Sequence, residues 1–508
     1  MRILHILAFC LVTLLAQAQP KYWIVLKDKD LSQRPSLSPI TLERRSVQGL
    51  PVDETDIPLA DAYLQQLQQS GIAPICKSRW LNAVSAALTP EQQQQVAALP
   101  FVKEIVPIDR NIIIQSTRFD IAKPMLAPVM TQIQAPEFAR AGLTGRFVQI
   151  GVIDAGFFGA DSASALKHIF ERNGVRAVRD YVNPQRTQNN LFRTLETMSD
   201  FHGTEVLAAI AGHDPGENVQ YGLATDAAFY LARTDQGNRE YRGEEDNWVA
   251  AMEWMDSLGV RLINTSLGYA KGFSDPKENY EPKQMDGRTS LISRAAQMAA
   301  DKKGILIIVS AGNEGDDKTW RIISTPADAE GVLAVGATNA RLWNRIGYSS
   351  IGPDFLPYLK PNVSCFSLYG TSLSAPVITG FAACLMQANP KLTNKQLIDI
   401  IQKSSHLYPY GNTFVGYGVP QASRALALAK GQPLPETTRT VKAQGKTWSL
   451  PVQHTEAVIS VYHKKDALRV INQEAIKPSN GKITLKRSGD EKFTTVDLKK
   501  EVIEVVWE

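Results

Sequence analysis

Five segments between residues 147 and 338 repeat one pattern. FVQIGVID, AAFYLART, GVRLINTSLG, GILIIVSAGN and GVLAVGAT are apolar runs that stop at a polar residue or a glycine. Runs of this kind mark strands buried on both faces of a parallel sheet. NWVAAMEWMDSLG and SLISRAAQMAADKKG lie between them as helical stretches. Strands alternating with helices predict an α/β domain, and functional groups in such sheets gather beyond the carboxyl ends of the strands.

The flanks read differently. KYWIVL and FVKEIVPI are strand-like and RWLNAVSAAL is extended. LADAYLQQLQQSG sets Leu59, Tyr63, Leu64 and Leu67 at helical spacing, and TPEQQQQVAALP is a helix capped by Thr89 with Pro90 in first position. Residues 19–115 are therefore expected to form an α+β unit of the split βαβ kind. The polar insertion LSPITLERRSVQGLPVDETDIP reads as a long excursion with a short helix. Residues from about 111 to 145 carry no strong period. Beyond the break PLPETT, residues 437–508 hold several short strand-like runs. The expected fold class is α/β: a parallel-sheet domain over 120–430, flanked by a small α+β domain and a small C-terminal β domain.

Composition narrows the partners. With 508 residues, 44% hydrophobic and 21% charged, the chain is globular and multi-domain. A net charge of +4 and the lack of a long Lys/Arg cluster give no reason to expect nucleic acid. Proteins or peptides are the expected partners. Residues 1–18 read as an export signal: Arg2, the apolar ILHILAFCLVTLLA, then AQA, with cleavage expected after Ala18. About 14 apolar residues are too few for a span of roughly 20. No later run reads as long and apolar enough to cross a bilayer, so a secreted or cell-surface protein without a transmembrane segment is expected. Phe9 disfavours lipid attachment at Cys10. Cys76, Cys365 and Cys384 make no disulfide framework; Cys365 and Cys384 flank Ser372 and could pair, though two buried thiols is the stronger reading.

Four polar residues stand out, each with an ordinary explanation. Asp154 ends a buried run, where ligands bind, but a strand-end turn aspartate reads equally well. His202 opens a helix-like run in SDFHGTEVLAAIAG beside Gly203 and Thr204; alone it reads first as structural. Asn313, between Gly312 and Gly315, is a turn former or an amide that donates to a developing oxyanion. Ser372, behind Gly370 and Thr371, is a helix N-cap or a nucleophile. The order Asp154, His202, Ser372 is one of those in which serine triads occur.

VIDAG, HGTEVLAAIAG, NTSLG, SAGNEG and GTSLSAP together resemble the signature segments of subtilisin-like serine proteases, from about Gln132 to about Ala429. The resemblance implies that Ser372 attacks the scissile carbonyl, that His202 takes its proton and that Asp154 holds His202. It implies that Asn313 and the Ser372 N–H bind the oxyanion. Ser266, Leu267 and Gly268 would pair with substrate backbone, and Ser310, Ala311 and Gly312 would wall the primary pocket, its far end near Ser324, Thr325 and Pro326. No acid reads as reaching that pocket, so uncharged side chains are expected there, unless Asp316 and Asp317 attract Lys or Arg. Pro376 is expected in or near the first helical turn.

The resemblance also has departures. Ala155 replaces a common Ser or Thr, and Val377, Ile378 and Thr379 stand where His-Val-Ala is usual. The front domain resembles inhibitor-like propeptides, with self-cleavage expected between about Asp109 and Phe119, or else it is a permanent accessory domain. The tail reads equally as a sorting module or a stabilising β domain. No cofactor is required for the chemistry; the acids of NEGDDKTW do not make a full calcium ligand set, and whether the chain holds a metal is unknown from sequence. The expected function is a secreted serine endopeptidase made as an inactive precursor. The alternatives are a catalytically silent binding protein on the same fold, or a peptide ligase or cyclase using the same residues.

Overall fold

A computed structural model of the chain describes residues 20–108, 126–185, 188–235, 244–271, 279–452 and 458–508. The expected export signal and the expected cleavage junction lie outside the described residues.

The front region holds β1 (Lys21–Leu26), α1 (Pro39–Val47), α2 (Asp61–Gln69), β2 (Lys77–Ser78), β3 (Ala83–Ala87), α3 (Pro90–Ala97) and β4 (Val102–Ile108). Its antiparallel sheet has the order β2-β3-β1-β4. Thr89 and Gln92 make the capping box of α3, with Pro90 at its start. Side chains of β1 alternate between two cores. Ile24 and Leu26 pack with Leu67 and Val96 of α2 and α3, whereas Trp23 and Val25 join the core of the following domain. The insertion supplies α1, which docks on that domain.

Short helices α4 (Leu126–Gln132) and α5 (Ala135–Arg140) lead into β5 (Gln149–Asp154), α6 (Lys167–Glu171), β6 (Val175–Asp180), α7 (Gln188–Leu191) and α8 (His202–Ala211). A hairpin of two-residue strands, β7 (His213–Asp214) and β8 (Val219–Gln220), precedes β9 (Ala228–Arg233), α9 (Glu245–Ser257), β10 (Leu262–Thr265), α10 (Leu291–Lys303), β11 (Leu306–Ser310), β12 (Leu333–Thr338), β13 (Val363–Phe366) and α11 (Thr371–Ala388). Helices α12 (Asn394–Lys403) and α13 (Ala422–Ala429) complete the domain. Seven parallel strands form one sheet in the order β13-β12-β11-β10-β5-β9-β6. Ile150 and Val152 of β5 face a core shared with α8 and α11, and Ile153 faces the core of α9 and α10. Both faces are thus covered, which is why the strands read as unbroken apolar runs.

The tail forms β14 (Thr438–Ala443), β15 (Thr447–Pro451), β16 (Ile459–Lys464), β17 (Val470–Ile476), β18 (Lys482–Lys486), β19 (Phe493–Asp497) and β20 (Val502–Trp507). Its main sheet has the order β14-β20-β19-β16-β17, and β15 pairs with β18. Tyr462 and Val502 pack against Leu407, Phe414 and Val415 of the central domain.

Two expectations are settled here. α11 does reach the length and apolarity of a membrane span, contrary to the sequence reading, but 78% of its most apolar window is buried inside the protein. It is a core helix. Cys76, Cys365 and Cys384 are free thiols; Cys365 Sγ contacts the Ser374 carbonyl and Cys384 Sγ that of Leu143.

Candidate active site

Strands β11, β10 and β5 bring Asn313, Ser266 and Asp154 to the carboxyl edge of the sheet, and the starts of α8 and α11 bring His202 and Ser372. Asp154 ends β5 and is fully buried. Its Oδ1 accepts the Ala155 N–H at 2.8 Å and lies 2.7 Å from His202 Nδ1. His202 is the first residue of α8 and is 5% exposed. Gly203 allows this approach, since a methyl group there would lie 2.3 Å from the Gly156 carbonyl oxygen. Burial alone would lower the His202 pKa, but the charge and hydrogen bond of Asp154 raise it.

Ser372 is the second residue of α11, and Gly370, at φ 113°, takes the cap position. Ser372 is therefore not an N-cap. Pro376 lies beyond the first turn, contrary to expectation, and its missing N–H frees the Ser372 carbonyl four residues back. Ser266 Oγ donates to that carbonyl at 2.9 Å. Ser372 Oγ donates to the Ser266 carbonyl at 3.4 Å and not to His202. Asn264 Nδ2 donates to Ser266 Oγ, and Thr379 Oγ1 donates to Asn264 Oδ1. Thr379, one of the unusual residues after the proline, thus completes a polar chain beneath Ser372.

Asn313 follows β11. Its Oδ1 accepts the Thr371 N–H at 2.8 Å and the Thr371 hydroxyl at 3.0 Å. The amide nitrogen is thereby turned toward Gly370, where a methyl group would lie 3.3 Å from Nδ2. Ser266, Leu267 and Gly268 follow β10, and Ser310 ends the adjacent strand β11, with Ala311 and Gly312 just past it. Ser324 Oγ lies between the two segments, 2.2 Å from a methyl on Gly268 and 3.4 Å from one on Gly312.

The placements of Glu314 and Asp235 escaped the sequence reading. Glu314 Oε2 comes within 2.7 Å of a methyl on Gly312, accepts the Asn313 N–H and the Ser350 hydroxyl, and has a pKa raised by burial. An acid thus lies beside the Gly312 segment, held by the Asn313 N–H and the Ser350 hydroxyl. Asp317 pairs with Lys271 and accepts from Thr319. Asp235, just past β9, is fully buried; burial and the charge of Asp154 push its pKa up to about 7. In the sequence Arg233 and Thr234 separate it from its apolar run, so it lacks the direct strand-end signal that marks Asp154. Among the described residues no group of three or more His, Cys, Asp or Glu side chains is arranged to hold a metal ion.

A model of the Subtilase family matches residues 145–419. This chain belongs to the subtilase family. It is a serine endopeptidase, with a Peptidase S8 propeptide domain of the Bacteroidota type matched over residues 21–119. Subtilisin DY of Bacillus licheniformis is 28% identical over 277 residues, covering 52% of this chain and 86% of that one. Subtilisin NAT of Bacillus subtilis subsp. natto is 28% identical over 56% of this chain and 67% of its own length. The Epidermin Leader Peptide Processing Serine Protease of Staphylococcus aureus has the same fold, with a TM-score of 0.53 at 15% identity over 82% of this chain and all of that one.

Proposed function

We propose that this subtilase is an exported precursor that hydrolyses peptide bonds through Asp154, His202 and Ser372. The observation that carries the reading is the buried 2.7 Å contact of Asp154 Oδ1 with His202 Nδ1. A proton held on Nδ1 leaves Nε2 as the basic nitrogen, able to take the Ser372 proton and pass it to the leaving amine. Rotation of the Ser372 side chain away from the Ser266 carbonyl is required first. The tetrahedral oxyanion would then meet Asn313 Nδ2 and the Ser372 N–H at the start of α11, where backbone donors and the helix dipole favour negative charge. Substrate would add as a strand along Ser266–Gly268, with Ser310, Ala311 and Gly312 walling a pocket for uncharged side chains that Ser324 narrows.

The front domain acts in this reading as an intramolecular inhibitor removed by self-cleavage, and the pattern of residues 1–18 carries the chain out of the cytoplasm. The test is the intact mass of the exported protein, wild type beside Ser372→Ala. Loss of residues 19 to about 115 in the wild type but not in the variant is expected. Identical processing of both would assign the cut to another protease, and Ser372 would then have to fail or pass on an external peptide.

A further inference from the structure

We propose that the C-terminal β domain is a working part of the active site, with Gln473 as a positioning residue for the oxyanion donor Asn313. The inference rests on the reading of Asn313 given above.

The turn that carries Asn313 has no regular structure of its own and is held by a second irregular segment, residues 345–351. Gly315 N–H donates to the Tyr348 carbonyl at 2.7 Å, and Ser350 N–H to the Gly312 carbonyl at 3.1 Å. Ser350 Oγ donates to Glu314 Oε2, which also takes the Asn313 N–H. The same segment reaches the nucleophile's turn: Tyr348 Oη donates to the Ser367 carbonyl, and Ser367 Oγ to the Gly370 carbonyl, each at 2.7 Å.

Arg345 shapes this segment. Its Nη1 donates to the carbonyls of Gly347 and Ser349, and its guanidinium stacks 5.0 Å from the Phe414 ring. There is no slack beneath it, because a methyl on Gly315 would lie 2.1 Å from the Ser349 oxygen and 2.5 Å from Arg345 Nη1. Arg345 is in turn held by the C-terminal sheet. Gln473 on β17 accepts its N–H at 3.1 Å and donates to its carbonyl at 2.8 Å, so one side-chain amide replaces a strand partner. Ser460 and Lys499 pin Leu342 upstream, and Lys465 and Arg469 pin Asp354 downstream. A donor that must meet a transition-state oxygen within a few tenths of an ångström depends on such bracing.

The test uses the exported protein with its front domain removed and its C-terminal domain intact, and a chromogenic peptide, with kcat counted per site titrated by a serine-directed phosphonate, so that unfolded protein does not enter. Gln473→Met keeps length and loses both bonds; Gln473→Glu keeps the acceptor. Gln473→Met is expected to lower kcat about 10-fold with KM within about twofold, and Gln473→Glu to recover part of that loss. Asn313→Ala is expected to lower kcat about 10²–10³-fold, and adding Gln473→Met to it is expected to cost little more. A Gln473→Met enzyme with wild-type kcat, or a loss that multiplies fully in the double variant, overturns the proposal. Wild-type kcat in Asn313→Ala alone would instead overturn the reading of Asn313.

Discussion

Ser266 and Ser372 are bonded in both directions, Ser266 Oγ to the Ser372 carbonyl and Ser372 Oγ to the Ser266 carbonyl. The first bond exists because Pro376 leaves a helix carbonyl without its intrahelical donor. Ser266→Ala removes that donor and also the acceptor of Asn264 Nδ2. An unpaired polar group at such a site costs about 1–3 kcal/mol. The proposed nucleophile would lose its fixed backbone, and kcat on a peptide is expected to fall about tenfold or more with KM little changed. A Ser266→Ala enzyme with undiminished kcat would show that the anchor does not serve catalysis.

The proposed base gives a pH dependence whose sign follows from its neighbours. Asp154 raises the His202 pKa against the effect of burial. General-base action needs neutral imidazole, so kcat/KM falls as pH drops through a value above the ordinary 6.5. Asp154→Asn removes the charge that raises it, and the acid limb is expected to move to lower pH while kcat drops by about 10⁴. The pH profile of the pair, recorded on one peptide, checks both. A limb at the same pH in Asp154→Asn would mean that another group sets it.

The sheet and most of its site were legible because both depend on local pattern. Strands covered on two faces need unbroken apolar runs, and Asp154 and Asn313 stand where those runs stop. Other features depend on partners far along the chain. The sequence places α1 in a polar insertion, yet Arg44 and Arg45 are buried because Asp256, more than two hundred residues on, receives them. Thr379 reads as an irregular substitution until Asn264 is brought beside it. Gln473 sits on an edge strand of the tail, and nothing near it in sequence points to Arg345. Pro376 lies deeper in α11 than the sequence suggests, because the helix is capped by Gly370 and not by Ser372.

Gly203 tests how tightly α8 must approach β5. A methyl group there would meet the backbone oxygen of Gly156 at 2.3 Å and Asp154 Cβ at 3.0 Å. Backbone cannot swing aside as a side chain can, so Gly203→Ala is expected to push the start of α8, and His202 with it, away from Asp154. A displacement near 1 Å costs about 10²-fold in rate. Steady-state kinetics on a folded Gly203→Ala protein measure this; a loss under threefold would mean that the helix shifts without disturbing His202.

The front domain is held by charges that water does not reach. Asp256 of α9 receives Arg44, Arg45 at 2.9 Å and Arg79 at 3.2 Å, and Lys303 of α10 meets Asp56 of the insertion at 2.7 Å. Arg45 joins the two halves by also reaching Asp56 at 2.6 Å. Asp56, Asp256 and Lys303 are fully buried. Screening acts weakly on buried pairs, so the front domain, once cut free, is expected to stay bound from 0.1 to 1 M salt. Asp256→Ala takes away the buried carboxylate that the three guanidinium groups share, a change that costs about 3–5 kcal/mol when a buried pair is broken. Its cleaved front domain should therefore separate on gel filtration where the wild-type complex co-elutes, with an inhibition constant weaker by about 10²–10⁴-fold. Co-elution of the Asp256→Ala pair at the same concentration would place the hold elsewhere, in the apolar contact of Trp23 and Trp80 with α9 and α10.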